Sequence, residues 1–375
     1  MNKGLKETFY HKFGEEPKLI VQSPGRVNII GEHTDYNDGF VLPMAIDRHI
    51  RIAFRPRDDE KIKLESIGFD SKANFSINDS TYVGDWSDYV KSISWVLKKH
   101  NFDIKGWEGV MVSNIPIGAG LSSSASLLLA ILKVFSVISK FPWEGMEMAK
   151  LARQAENEFL QLKSGIMDQL ICSIGRVGHA LLLDCRDLSL DFVTIPPNVQ
   201  IIILDTVTRR ELVDSKYNER VKQCDSAAKY FGYDSLRDVS IENFQKNKEG
   251  LDQLLLKRAR HVIYENQRTK EVSEAMKDND VNKIGRLMSE SHQSLKNDYS
   301  VSSKELDIMV QIAEKEAGCF GARMTGAGFG GCVIALIDDS FKEQFMKNVF
   351  NNYFLKTGIK PMIYISSPSG GVRLC

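Results

Sequence analysis

Pro116-Ile-Gly-Ala-Gly-Leu-Ser-Ser-Ser-Ala125 is a glycine turn followed by three serines, and what flanks it sets the architecture. Glu108 to Ser113 ahead of it reads as a strand, and the apolar run behind it reads as a long helix from about Ser123. Gly118 and Gly120 allow a tight turn and close backbone approach to a ligand, while Ser122, Ser123 and Ser124 can cap the helix or donate hydroxyls. Unpaired N–H groups and the positive dipole end at a helix start suit an anion. A capped helix after a tight turn is the competing explanation of the same letters. No Gly-Lys-Ser/Thr occurs, so the loop is not a Walker A motif. Twenty residues on, where a dinucleotide fold needs an acidic residue at a strand end, the chain is still in the apolar helix.

Outward from this loop, short β-like runs cover Leu19 to Val21, Val41 to Ile46 and Ile50 to Phe54, and Ala180 to Asp184 ends a further strand. Trp86, Tyr89, Val90, Ile93 and Val96 carry helical spacing, and Trp143 to Gln161 and Gly165 to Ile174 read as further helices. The character changes near Pro196-Pro197. Val199 to Asp205 is an apolar strand, long charged helices follow at about 214–230 and 250–288, and Cys332 to Ile337 is again apolar. This predicts two domains, residues 1–195 and 196–375. Helices and strands mix without βαβ alternation, which predicts the α+β class.

The chain has 375 residues, with 49 Lys+Arg balancing 49 Asp+Glu, so bulk charge excludes the usual routes to nucleic acid or anionic membranes. Six cysteines without a C-x-x-C pair suit neither a disulfide scaffold nor structural zinc. The most apolar stretch, Ala125 to Ile138, is too short to span a bilayer, and no signal peptide is visible at the start. A soluble, cytoplasmic protein is expected.

Two other segments carry chemistry. Pro24-Gly-Arg-Val-Asn-Ile-Ile-Gly-Glu-His-Thr-Asp-Tyr-Asn-Asp-Gly39 packs Arg26, Asn28, Glu32, His33, Asp35, Tyr36 and Asp38 between apolar runs. Such density is costly unless the groups are jointly satisfied, and carboxylates beside an imidazole can read several sugar hydroxyls. In Gly165-Ile-Met-Asp168-Gln169 an aspartate opens a helix, where capping is its ordinary role.

Gly25 to Tyr36 resembles the galactokinase signature at every fixed position, Pro116 to Ala125 resembles the ATP loop of the GHMP kinases, and Met324-Thr-Gly-Ala-Gly-Phe-Gly-Gly-Cys332 resembles their third motif. Gly165 to Gln169, Gly178 to Arg186 and Asp214 to Arg220 are similar to further galactokinase segments, in family order. The resemblance implies an N-terminal domain like ribosomal protein S5 domain 2, a ferredoxin-like C-terminal domain and an active site between them, with ATP and Mg²⁺ as co-reactants. It implies Asp168 as the catalytic carboxylate with Arg26 beside it. Glu32, His33, Asp35, Gly165 and Tyr217 would bind galactose, and Gly118, Gly120 and Ser122 to Ser124 would cradle phosphates. Ser124 and Glu156 would hold the metal, and Trp86 and Tyr89 the adenine. The implied reaction is phosphorylation of the anomeric hydroxyl of galactose. Another pyranose (N-acetylgalactosamine, galacturonic acid or arabinose) or a non-catalytic sugar and ATP sensor are the alternatives. Two departures from the family pattern bear on the sugar: Lys163-Ser164 where Pro-Cys is usual, and Arg210, within Arg209-Arg-Glu-Leu212, where His is usual.

Overall fold

A computed structural model describes residues 2–68, 72–162, 164–208 and 213–375. Lys163 and Arg209 to Leu212 lie outside the described residues.

A six-stranded sheet carries the first half. The strands Leu19–Asn28 and Pro43–Pro56 pair antiparallel, and Trp107–Ser113 pairs with the latter at its centre. Leu19 to Val21 and the apolar residues from Pro43 to Phe54 are thus parts of two long strands, while Val41 belongs to the short strand Phe40–Val41, which pairs with His179–Asp184. Lys61–Ser66 adds a parallel pairing, against Trp107–Ser113, and Lys72–Ser76 forms an edge. The other edge comes from far along the chain: Arg373–Leu374 pairs with Val21 and Gln22. The expected helix after the glycine turn runs Ser123–Ser139, with eleven of its residues buried, because it crosses the centre of this core on all sides.

A four-stranded antiparallel sheet, in the order Cys319–Thr325, Cys332–Asp338, Val199–Asp205, Met362–Ser366, organises the second half. Its two central strands, Val199–Asp205 and Cys332–Asp338, are buried on both faces. Ile201, Ile203, Cys332, Ile334 and Leu336 pack into the core of the first half, and Ile202, Leu204, Val333, Ala335 and Ile337 into a second core under the C-terminal helices. The period-two alternation of a strand divides these neighbours between two cores.

The continuous charged helix expected over 250–288 is two helices, Gln253–Lys277 and Val281–Ser294. Asn279 adopts a left-handed φ of 55° and the Asp280 side chain accepts from the Lys283 N–H, so one helix ends and the next is capped within three residues. The segment expected as a helix over Trp143 to Gln161 is a helix over Gly145–Gln154 that widens into a π-turn, Ala155–Phe159. Among the described residues no helix is long and apolar enough to cross a membrane. The mixed helix-and-sheet architecture is α+β, as the sequence predicts.

Candidate active site

Four segments distant in sequence meet at one cleft of about 730 Å³. Its walls include the 117–124 loop, the Gly165 to Asp168 turn, the 32–35 turn and the glycine run 326–331.

Asp168 sits in the first turn of the helix Met167–Ile174, and its side chain does not cap that helix. It is claimed by Arg26 instead, whose Nε donates to Oδ1 and Nη2 to Oδ2, both at 2.8 Å. Arg26 projects from the strand Leu19–Asn28, where the register against Pro43–Pro56 shifts between Pro24 and Arg26. Its Nη1 donates to the Gly120 carbonyl at 2.6 Å, which ties the same guanidinium to the glycine loop. Asp168 raises the guanidinium's pKa against the opposing effect of burial. Ser122 has a left-handed φ of 57° and makes no capping bond. Its hydroxyl donates to Asp168 Oδ2. A carboxylate offers about four lone-pair directions; among the described residues three of those on Asp168 are used, and one on Oδ1 is not. Its side chain is 28 % exposed toward the cleft.

The loop stays open because backbone, not side chains, closes against it. Gly118 and Gly120 have φ of 66° and 75°. The second glycine run lies directly on the loop: a Cβ at Gly331 would come 3.0 Å from the Ala119 carbonyl, and one at Gly326 3.1 Å from that of Gly120. Gly326-Ala-Gly-Phe-Gly-Gly331 also spells the G-x-G-x-x-G of dinucleotide folds, but here Gly326 and Gly331 serve the close packing of two turns.

Glu32 is sealed in. Its Oε2 accepts from Asn28 Nδ2 at 2.6 Å and Arg323 Nη1 at 2.7 Å, and its Oε1 from Thr325 Oγ1 at 3.1 Å and the Gly326 N–H at 2.7 Å. Burial pushes its pKa up, against the pull of Arg323. Glu32 lines the cleft floor, yet all four lone-pair directions are engaged. It ties the two halves of the chain together and fixes where Gly326 lies.

His33 and Asp35 follow on the same turn. His33 holds a left-handed φ of 64°, uncommon for a non-glycine residue, and its carbonyl accepts from Asn37 Nδ2 at 2.9 Å. Burial, then the neighbouring His261, lowers the His33 pKa to about 3, so the ring is neutral. Its Nε2 is buried, and the Ala327 backbone is a hydrogen-bond partner of the ring. Burial, then Asp168, raises the Asp35 pKa to about 6. Gly165 is glycine because a Cβ there would collide with the Asp35 carboxyl. Tyr217 stands opposite, its ring centroid 5.9 Å from that of His33 and 5.0 Å from that of Tyr36.

Glu156 enters from the π-turn, which re-aims one residue inward without ending the helix. Its Oε2 accepts from Ser164 Oγ at 2.7 Å and Gln169 Nε2 at 2.5 Å, and the Ser124 hydroxyl is a further partner. Burial raises its pKa.

The cleft thus collects Arg26, Glu32, His33, Asp35, Tyr89, Gly118, Gly120, Ser122, Ser123, Ser124, Glu156, Gly165, Asp168 and Tyr217. Trp86 stands apart from its lining and packs against the N-terminal core at the start of the helix Ser87–Lys99. Arg323 escapes the sequence reading, as do the roles of Thr325 and Gln169. The one available signal is a lone arginine in the apolar strand Cys319–Thr325, on the face that alternation turns toward the first half.

Family models match over much of the chain: the galactokinase galactose-binding signature at residues 7–56, the GHMP kinase N-terminal domain at 88–176 and the GHMP kinase C-terminal domain at 272–356. A galactokinase of Roseiflexus sp. (strain RS-1) is 42 % identical over 98 % of this chain and 96 % of its own. The crystal structure of Lactococcus lactis galactokinase complexed with galactose superposes with a TM-score of 0.95, at 38 % identity and 99 % coverage of both chains. Mevalonate kinase of Methanococcus jannaschii, at 23 % identity and a TM-score of 0.70 over 94 % of this chain and 98 % of its own, shares the fold. With the signature, both GHMP domains and a near full-length relative in agreement, the chain belongs to the galactokinase family of the GHMP kinases.

Proposed function

We propose that the chain transfers the γ-phosphoryl group of ATP to the anomeric hydroxyl of galactose, giving galactose 1-phosphate and ADP. The observation that carries this reading is the Arg26–Asp168–Ser122 cluster, which joins the glycine loop to the Gly165 to Asp168 turn, against which the Asp35 carboxyl packs. An acceptor hydroxyl beside Asp168 and a phosphate on the loop would meet there.

Phosphoryl transfer asks chiefly for alignment and for positive potential at the transferring oxygens. The free Oδ1 direction of Asp168 accepts the hydroxyl proton as the new O–P bond forms and the bond to ADP breaks. Arg26 and the N–H groups at the start of Ser123–Ser139 supply fixed positive charge. His33, Asp35, Gly165, Tyr217 and Glu32 line the sugar end. Gly118, Gly120, Ser122, Ser123 and Ser124 line the phosphate end, with Tyr89 and, behind it, Trp86 on the adenine side. Ser124 and Glu156 are hard oxygen donors in contact, a pair that fits Mg²⁺. Among the described residues no cluster of three or more acidic, His or Cys side chains could hold a metal alone, so nucleotide phosphates would complete its shell. Bound there, Mg²⁺ would neutralise charge on the phosphate oxygens. Six free cysteines suit a reducing compartment such as the cytoplasm.

The test is phosphorus NMR of ATP, Mg²⁺ and single free sugars. Galactose should yield a sugar 1-phosphate. Faster turnover of N-acetylgalactosamine, galacturonic acid or arabinose would reassign the acceptor, and binding without any product would make the chain a sensor.

A further inference from the structure

Asp35 opens a single 3₁₀ turn, Asp35–Asn37, that ends at Asp38 in a left-handed φ of 54°. A turn this short has little hold on itself. The Asn37 and Gly39 N–H groups both donate to the Thr34 carbonyl, at 3.0 and 2.8 Å. The carbonyls at its exit are the orphan acceptors of a helix end. Three in succession are taken by donors far away in sequence. Ser235 Oγ donates to the Asn37 carbonyl at 2.6 Å, Arg237 Nη1 to that of Asp38 at 2.6 Å and the Cys185 N–H to that of Gly39 at 2.9 Å.

The Gly178 to Arg186 segment, which stands outside the cleft lining, finds its place here. Asp184, paired in register with Phe40, accepts from both Arg237 Nη1 and Nη2, at 2.5 and 2.6 Å. The same guanidinium lies 4.1 Å from the Phe40 ring centroid. Arg237 is thus fixed by a two-pronged ion pair and a ring face, with its side chain 19 % exposed. A reciprocal pair stands beside it: Arg186 donates twice to Asp238, at 2.7 and 2.8 Å. Each half of the chain therefore gives one arginine and one aspartate. The pairs differ in one respect. Arg237 also donates to the turn's backbone, whereas Arg186 approaches the turn at the Asp38 carboxyl, 3.6 Å away, with its side chain 40 % exposed.

We propose that Arg237, held by Asp184, is a positioning residue for the sugar end: its grip on the Asp38 carbonyl fixes the turn that presents Asp35. Affinity for galactose then depends on a side chain that stands outside the cleft. A guanidinium suits this role better than an ammonium, because its planar fork serves the carboxylate while one nitrogen keeps a second N–H for the carbonyl. The proposal rests on the sugar-binding reading given above, but the order of the turn can be read without sugar, so the two fail separately.

The experiment compares the full-length protein with Arg237→Met, Arg237→Lys and, as the reciprocal control, Arg186→Met. Hydrogen exchange of the ligand-free protein, followed by mass spectrometry, should be faster in Arg237→Met over residues 34–40, and unchanged there in Arg186→Met. In steady-state kinetics, KM for galactose should rise about three- to tenfold in Arg237→Met, the range of one hydrogen bond, with kcat and KM for ATP within about twofold. Arg237→Lys should recover part of both effects, and Arg186→Met should stay within about twofold of the wild type throughout. Because both changes act on one turn, Arg237→Met combined with Asp35→Asn should raise KM for galactose by less than the product of the two single effects. Unchanged exchange over 34–40, an equal effect of Arg186→Met or a full product in the double variant overturns the proposal. A parallel loss of kcat, ATP binding and thermal stability in both Arg237 variants overturns it too, because the pair would then serve the fold in general. If the wild type turns over no sugar while exchange responds as stated, the grip on the turn stands and the sugar reading falls.

Discussion

Two carboxylates at the cleft are each gripped by an arginine, and they differ in what the grip leaves over. Asp168 accepts two bonds from Arg26 and one from Ser122, has one direction unused among the described residues and is 28 % exposed. Glu32 accepts from Asn28, Arg323, Thr325 and Gly326 and is 3 % exposed. The first pair is open at the one point where a substrate hydroxyl can enter. The second is closed and joins strands that are nearly three hundred residues apart in sequence. An acid–arginine pair is therefore no guide to catalysis by itself; the unfilled lone pair is.

The largest effect should come from emptying the open pair. Asp168→Asn keeps the shape but loses the acceptor for the hydroxyl proton, and kcat should fall by about 10²-fold or more. Thermal unfolding should change little, since the site is partly solvated. Near wild-type turnover in an ADP-release assay would dissolve the contrast. The closed pair should respond in the opposite sense. Arg323→Met leaves Glu32 buried without its cation, and urea unfolding at pH 7 should record a loss of about 3–5 kcal/mol. Equal stability losses for the two variants would mean that the pairs serve the same purpose.

The smallest effect concerns Asp35, a third acid on the same turn. Its folded pKa, raised from 3.8 to about 6, exceeds the unfolded value, so its ionised form is disfavoured in the fold. That cost is absent below about pH 4, grows as pH rises toward 6 and is complete above it. Asp35→Asn should therefore stabilise the ligand-free protein by about 1–2 kcal/mol at pH 8 and by nothing at pH 4, while KM for sugar rises. A thermal-unfolding gain that is independent of pH would place the origin elsewhere than in this carboxyl.

Much of the site is legible in the sequence because its parts are local. The Gly118 to Ser124 loop, the 24–39 segment and the Gly165 to Asp168 turn each present their chemistry within a few residues, and the structure gathers all three around one cleft. What is not legible is who pairs with whom. Arg323 meets Glu32 only because the strand Cys319–Thr325 alternates and its sheet lies against the first half. Ser122 gives up its cap for Asp168, a choice made by tertiary contact and not by local propensity. The broken helix at Asp278-Asn279-Asp280 was within reach, since three consecutive cap-forming residues are a stop-and-start signal. The Trp86 and Tyr89 pair separates because helical spacing alone does not say which of two neighbours reaches a cleft.

The four-stranded sheet has one face in each core, through Ile201 and Ile203 on one side and Ile202 and Leu204 on the other. It is a party wall: removing either core exposes the other's lining. Neither half then has a complete apolar interior of its own, and the chain should melt as one cooperative unit. Opening and closing of the cleft for substrates must accordingly come from its loops, because a swing of one half against the other would tear the wall that both lean on.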